Sequence, residues 1–336
     1  MKILVIKLGA IGDVIRTTSI ISGLKSKFRD CSIEWITKKE SFDVLKNNKA
    51  VSDVYTTDNN IKKILNNKKY DLVLSLDDEL EACKLASEIK SKRIIGAFLQ
   101  NNKKTYTADS ALWFDMGLLS RFGKQKADEL KAKNKRTYQK IMYKILNLNY
   151  KKQEPILILN KKELDFGKKF AVKNKIGRND LVIGINTGAG GRWQDKKLSI
   201  EETAVLIDRL NNQIKNPKII LFGGPEEKER NKKIKKLVKT IVIDAGCDNS
   251  LLEFSSLVNL CDVLVTSDSL ALHVGVALKK KVVVFFCPTS SNEIELYDRG
   301  IKIIGKGKDY CSYKAKCDYP PKWDIDEMVR AVKELI

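Results

Sequence analysis

Continuous apolar runs alternate with helix-like stretches along this chain, and the alternation occurs twice. The first run, residues 2–8, leads through a glycine-containing loop into a helix-like stretch at 14–28. Further strand-like runs stand at 32–36, 71–76 and 93–96. The pattern restarts with strands expected at 181–186, 218–222, 241–244, 263–266 and 282–286. Helices are expected between them at 200–211, 226–238, 251–260 and 270–278. A last helix at 325–335 is opened by Asp324. Strands that are apolar on both faces and separated by helices call for parallel sheets covered on both sides. The predicted class is α/β: two doubly wound, Rossmann-like parallel-sheet domains facing a central cleft, with ligands at the carboxyl ends of the strands.

Between the two alternations, residues 110–148 read as helical and strongly basic, and a linker follows near 149–154. This divides the 336 residues into a first domain at 1–153, a second at 154–322, and a terminal helix within 323–336 packing back on the first. The 43% apolar content is enough to build two cores. No run approaches the roughly 18 apolar residues of a membrane helix. The opening MKILVIKLGAIGDV resembles a leader only superficially, since Lys7 and Asp13 interrupt it and no small-residue cleavage site follows. A cytoplasmic protein is expected. Seven cysteines, an odd number, fit a reducing compartment, and most sit in apolar runs as small hydrophobes. Cys311 and Cys317 are the exceptions; two cysteines fall short of the four ligands a structural metal needs, so no metal is expected.

The charge balance is +21, from 63 basic and 42 acidic residues. Such an excess points to an anionic partner, although a chain this rich in Lys, Asn and Ile can owe much of it to composition. The densest basic stretch, 121–152, carries Lys124, Lys126, Lys131, Lys133, Lys135, Arg136, Lys140 and Lys144 against Asp128 and Glu129. It reads either as a solvated helix face or as a docking surface for anionic lipid. No RNA- or DNA-binding signature accompanies it, and aromatic residues are not interleaved with the lysines. No nucleic-acid partner is therefore expected, and a basic nucleic-acid-binding protein is kept only as the non-enzyme alternative.

Four loops at strand ends carry the chemistry. The first, KLGAIGDV, places two glycines at a strand-to-helix turn, where close ligand approach is possible. Its spacing is not that of a dinucleotide fingerprint. Asp13 stands where a helix begins and is either a cap or first-turn carboxylate, or a catalytic one. Lys7 and Arg16 beside it could meet acceptor phosphates or carboxylates. The second, NTGAGGRWQDKK, offers backbone N–H groups in a glycine-rich turn with Arg192, Lys196 and Lys197 close by, which suits a diphosphate. It is not a Walker loop. The third, GGPEE, sets carboxylates at a strand end, suited to a ribose or sugar hydroxyl or simply to a capped helix start. The fourth, TSDSLALH, begins a helix whose N-terminus is an anion site. His273, the only histidine, lies five residues after Asp268, either as a core residue or within reach of a bound phosphate.

Taken in order, KLGAIGDVIRTTSI, INTGAGGRWQDKKLS, ILFGGPEEKER, LCDVLVTSDSLALHVGVAL and VVVFFCPT resemble glycosyltransferase family 9, the heptosyltransferases. The resemblance spans most of the chain and is loose at about 100–155. It implies the GT-B architecture and transfer of a heptose from ADP-heptose to a hydroxyl of an anionic glycolipid such as the lipopolysaccharide inner core. By it, Asp13 would be the general base, with Gly12, Lys7 and Arg16 on the acceptor side. Thr187, Gly188, Arg192 and Lys196 would hold the donor diphosphate, Glu227 would contact the nucleoside, and Asp268, Ser269 and His273 would line the donor pocket. The donor is a substrate, and no cofactor is implied. Peripheral contact with the inner face of the cytoplasmic membrane would follow from the acceptor. The family commonly has glycine after its Asp-Ser or Asp-Thr pair, whereas this chain has Leu270. That departure keeps open another nucleotide sugar or a protein acceptor. A nucleotide-sugar epimerase, which the same architecture can host, would need further acid–base pairs that the sequence does not display.

With one base and a single displacement, the anomeric configuration is expected to invert. The leaving diphosphate would be stabilised by residues 188–191, by Lys196 or Arg192, and by the helix start at Asp268 and Ser269, without a metal. No spaced Asp-x-Asp motif stands at a strand end, and Asp77-Asp78 reads as a solvated turn.

Overall fold

A computed structural model describes residues 1–58, 60–191 and 194–336, and it divides into two units. The first comprises Met1–Ile158 with Asn292–Glu295, and the second comprises Leu159–Ser291 with Leu296–Ile336.

The first unit is built on a six-stranded sheet. Its strands are β1 (Lys2–Ile6), β2 (Ser32–Thr37), β3 (Asp53–Thr56), β4 (Leu72–Ser75), β5 (Ile94–Gln100) and β6 (Lys103–Tyr106). Their order is β3-β2-β1-β4-β5-β6, parallel throughout except for the antiparallel β5–β6 pair. β1 runs centrally because it can: Ile3, Leu4, Val5 and Ile6 are fully buried, apolar on both faces of the sheet. Asn101 and Asn102 adopt φ of 49° and 60°, the left-handed pair that closes a two-residue hairpin, and so β6 folds back on β5. The sequence reading did not separate β3 or β6 from their surroundings.

The helix expected at 14–28 is two helices, Ile11–Thr17 and Ile20–Lys27. A run of three hydroxyl residues explains the break. Thr17 Oγ1 bonds the Asp13 carbonyl (2.6 Å), Thr18 Oγ1 that of Ile15 (2.6 Å) and Ser19 Oγ that of Arg16 (2.8 Å). Side chains turned onto the backbone in this way compete with helix propagation. The basic stretch is likewise not one helical face. Helix Gly123–Lys133 is mostly exposed, whereas Tyr138–Ile145 buries six of its eight residues, and Lys135 and Arg136 lie between the two.

The second unit carries β7 (Val182–Asn186), β8 (Lys218–Phe222), β9 (Ile243–Asp244), β10 (Val263–Ser267), β11 (Lys281–Phe286) and β12 (Gly300–Ile304). All are parallel, in the order β12-β11-β10-β7-β8-β9. In both units the chain starts in the middle of the sheet, winds outwards, then returns to wind the other way. The order therefore reverses between β1 and β4 and between β7 and β10, the crevice where doubly wound sheets take ligands.

The terminal helix Ile325–Leu335 begins at Asp324, whose carboxylate accepts the Glu327 N–H (3.0 Å), as expected. It packs within the second unit. Met328, Val329, Ala331 and Val332 join Leu206, Ile207, Leu210 and Phe285 in the core of the second unit. Its strongly one-sided apolar face finds that cover nearby, against helix Ile200–Gln213 and strands β11 and β12. Among the described residues no helix is long and apolar enough to cross a membrane.

Candidate active site

In the first unit the reversal point is occupied by the loop after β1 and the loop after β4. Asp13 lies in the first turn of helix Ile11–Thr17, and the cap position belongs to Ala10. The carboxylate pairs with Arg16 Nη2 at 2.9 Å and is about a third exposed. Its place near the positive end of the helix dipole is favourable. Arg16 is held across the ring of Tyr138, 4.0 Å from its centroid, and 5.7 Å from that of Trp113. The Tyr138 hydroxyl is 2.7 Å from Thr17 Oγ1, so the base of this helix and the start of helix Tyr138–Ile145 are tied together. Arg16 is thus brought beside Asp13, as the sequence reading expected. Gly12 is buried within the helix.

Asp77 corrects an expectation, and it does so together with Lys7. The Lys7 ammonium is buried, 3.3 Å from Asp77 Oδ2 and donating to the Leu76 carbonyl at 3.1 Å. Burial would favour the neutral amine, but the Asp77 charge, with that of Asp13 behind it, outweighs this and holds Lys7 protonated. Asp77 is not a solvated turn residue. It is 7% exposed, and its Oδ2 accepts the N–H groups of Leu8 (2.9 Å) and Gly9 (2.6 Å). A side chain at Gly9 would meet Asp77 Oδ2 at 3.1 Å, Lys7 Nζ at 3.3 Å and Asp13 Oδ2 at 3.6 Å, so the loop closes over these charges only because position 9 has none. The Lys7–Asp77 pair is a scaffold that fixes the Asp13 loop. Sequence spacing gives no hint of it, because the partners are 69 to 70 positions apart and meet only through the β1–β4 pairing.

The second unit gathers its candidate residues at the β7–β10 reversal. Asn186, the last residue of β7, donates through Nδ2 to the Gly188 carbonyl (2.8 Å) and lies 3.0 Å from Thr266 Oγ1 and 3.3 Å from Ser269 Oγ. It pins the glycine-rich loop to the end of β10, a role the sequence reading did not assign. Thr187 is turned inwards: its hydroxyl lies 2.6 Å from Asn231 Oδ1, and its N–H donates to the Phe222 carbonyl. With both donors used internally, Thr187 shapes the loop, and the backbone from Gly188 onwards is what faces outwards. Gly190 has φ of 72°, the left-handed geometry a tight turn needs. Arg192 lies outside the described residues.

Lys196 is buried, with Nζ 3.0 Å from both the backbone carbonyl and Oδ2 of Asp268. The same Oδ2 accepts the Thr289 hydroxyl at 2.7 Å. Burial opposes ionisation of Asp268, but Lys196, then His273 and the Thr289 hydrogen bond, hold its carboxyl below the usual value. His273 is half-buried on helix Leu270–Ala277, its charge felt by Asp268. Ser269 is the cap residue of that helix, and Leu270 is its half-buried first residue. Glu227 is 3% exposed; it pairs with Lys197 at 2.9 Å and accepts the Gly224 N–H at 3.1 Å. Its carboxylate presses on the loop so closely that a Cβ at Gly188 would lie 2.8 Å from Oε2. Lys196, Gly188, Glu227, Asp268, Ser269 and His273 are therefore assembled at one sheet end. The arrangement is an outward-facing glycine loop and a helix start beside a lysine held by a carboxylate, fit to receive a phosphate-bearing ligand.

A family model described as glycosyltransferase family 9 (heptosyltransferase) matches residues 59–322. A search of curated proteins finds no match. Among solved structures, a glycosyl transferase family 9 protein from Veillonella parvula DSM 2008 superposes with a TM-score of 0.80 at 18% identity, covering 99% of this chain and 96% of that one. The E. coli ADP-heptose LPS heptosyltransferase II gives 0.69 at 18% identity, with 100% and 98% covered. E. coli heptosyltransferase WaaC with ADP gives 0.65 at 15% identity, with both chains fully covered at 100%. At these identities the likeness is one of fold, and that fold is the expected GT-B architecture.

Proposed function

From the premise that this chain belongs to glycosyltransferase family 9, we propose that it moves a heptose from ADP-heptose to a hydroxyl of an anionic glycolipid. Configuration at the anomeric carbon inverts, with Asp13 as general base. The observation that carries this reading is the Asp13 carboxylate itself. It sits at a sheet reversal, is partly open to solvent, and is paired with a guanidinium that aromatic rings hold in place. Asp13 takes the acceptor hydroxyl proton as the oxygen attacks the anomeric carbon, and the bond to the diphosphate breaks.

Charge that develops on the leaving diphosphate is met by the N–H groups of the glycine loop, the helix start at Ser269, and Lys196. Asp268 serves by holding Lys196, since a carboxylate against a diphosphate would repel it. Glu227 and Lys197 fix the loop from behind, with Glu227 on the nucleoside side. These groups balance the diphosphate without a metal. Leu270 supports a second reading, in which a different nucleotide sugar is the donor. It puts a branched side chain at the first helical position, where a glycine would leave the backbone open to a ligand.

Thermal unfolding with ADP, UDP and GDP at equal saturating concentration separates the two. A ligand at about 100 times its Kd stabilises by roughly 2.7 kcal/mol, a shift of several degrees. Selective stabilisation by ADP is expected. Selective stabilisation by UDP or GDP would favour the second reading, and no shift with any of them would remove the donor site.

For the glycolipid, the contact with the inner membrane face falls to residues 118–136. Leu118 (88% exposed) and Phe122 (57% exposed) protrude beside Arg121, Lys124, Lys126, Lys131, Lys133, Lys135 and Arg136. Apolar side chains rimmed by cations suit an anionic bilayer surface.

A further inference from the structure

Asp13 is not the only carboxylate that faces Arg16. Nη2 of Arg16 lies 2.9 Å from Asp13 Oδ1, and Nη1 lies 3.9 Å from Glu293 Oε2. Both Arg16 and Glu293 are largely buried, with side chains 13% and 10% exposed. Glu293 reaches this place from far along the chain. It belongs to residues 292–295, which precede β12 in sequence yet cluster with the first unit. Three contacts fix the segment there. The Glu293 carbonyl accepts the Tyr138 N–H (2.9 Å), Asn292 Nδ2 donates to the Asn134 carbonyl (3.0 Å), and the Tyr150 hydroxyl lies 3.4 Å from Glu295 Oε2. Tyr138, which anchors Glu293 by its backbone, is the same residue whose ring carries the Arg16 guanidinium.

A guanidinium presents its N–H groups as a rigid fork. Facing a single carboxylate, the fork engages both oxygens, and the carboxylate becomes a weaker base. A second carboxylate on the other edge divides the fork. Charged and titratable groups around Asp13 include Arg16 on its own helix, Lys7 on the loop after β1, Asp77 on the loop after β4, the phenol of Tyr138 on the packed helix, and Glu293 behind Arg16. Asp77 is committed to Lys7. Glu293 is the carboxylate whose position sets how fully Arg16 closes on Asp13.

We infer that Glu293 is a positioning residue for the base: it holds one edge of Arg16 so that Asp13 keeps an oxygen turned to the acceptor and basic enough to take its proton. The inference rests on the reading of Asp13 as general base. No step of the transfer involves Glu293 directly. Its effect is on where Arg16 sits and on the strength of the base.

The test is the pH dependence of ADP release from ADP-heptose, with heptose-free lipopolysaccharide as acceptor probe, for the full chain and its Glu293→Gln, Glu293→Asp and Asp13→Asn variants. Removing the negative charge of Glu293 favours ionised Asp13, so its apparent titration falls. In Glu293→Gln the acid limb of kcat/KM is expected about one unit lower, with a plateau reduced about 3–10-fold by the weaker base. The thermal shift given by ADP is expected to stay that of the wild type. Glu293→Asp keeps the charge and is expected to hold the acid limb in place. A Glu293→Gln profile that superposes on the wild type's, while Asp13→Asn is inactive, would overturn the role of Glu293 and leave the base standing. A limb displaced as far by Asp as by Gln would make the effect one of packing, and would also overturn it. Turnover of Asp13→Asn near the wild-type rate would remove the base itself, and this inference with it.

Discussion

Lys196 Nζ stands 3.0 Å from Asp268 Oδ2 in a site where both side chains are largely covered. A buried pair of this kind is worth little against well-packed apolar groups, but breaking it by removing one partner is costly. The Asp268 carboxyl is held below its ordinary value of 3.8. Its ionised form therefore stabilises the fold throughout the range above that value, and the contribution is lost only as pH falls through the depressed one. Lys196→Met removes the cation that outweighs burial. The folded-state value then rises above the unfolded one, so ionised Asp268 costs stability at neutral pH and the cost is relieved on acidification. A loss of about 3 kcal/mol at pH 7 is expected, narrowing towards pH 5. Denaturant unfolding at the two pH values checks it, and an equal loss at both would contradict the pairing.

Asp77 and Lys7 make a similar pair with a different purpose. Asp77→Asn leaves the buried Lys7 ammonium without its counter-charge and weakens the acceptor for the Leu8 and Gly9 N–H groups. A stability loss of about 3–5 kcal/mol is expected. Because the loop also carries Asp13, transfer should slow by about 100-fold, while the ADP-induced thermal shift, which the proposal assigns to the second unit, is expected to be retained. Unfolding and turnover measured side by side test this. A variant within about 1 kcal/mol of wild type would show that Asp77 is not the scaffold.

The exposed pair Leu118 and Phe122 allows the proposed membrane contact to be tested apart from catalysis. Flotation with anionic vesicles is expected to carry the wild-type chain upward at low salt. Leu118→Ser with Phe122→Ser should weaken that by about tenfold, as loss of two buried apolar side chains implies. Equal flotation on neutral and anionic vesicles would leave the basic residues without a role there.

Much of this architecture was legible in the chain. The twice-repeated alternation of doubly apolar strands and helices fixed two parallel sheets, because such strands have no other cover. The loops at 186–191 and 266–269 were readable for the same reason: glycines, hydroxyls and a helix start close together in sequence stay together at one strand end. What was not legible depends on partners distant in sequence. Asp77 reads as solvated until β4 is placed beside β1, and its pairing with Lys7 cannot be seen before then. Glu293 lies 277 positions from Arg16, and nothing in SSNEIE distinguishes it from a surface acid. The short edge strands β3 and β6 were likewise hidden, since edge strands need apolar residues on one face only. The core that takes the terminal helix was not legible either, because its apolar face says that it must be covered, and not by what.

The central claim is that the Asp13 carboxylate activates the acceptor for a single inverting displacement. It is tested most directly by single-turnover transfer from ADP-heptose to heptose-free lipopolysaccharide, wild type against Asp13→Asn, with the anomeric configuration of the product read by NMR. A product of inverted configuration is expected, with a rate for Asp13→Asn lower by about 10²–10⁴-fold and the ADP-induced thermal shift unchanged. A retained configuration, or an Asp13→Asn variant that turns over near the wild-type rate, would contradict it.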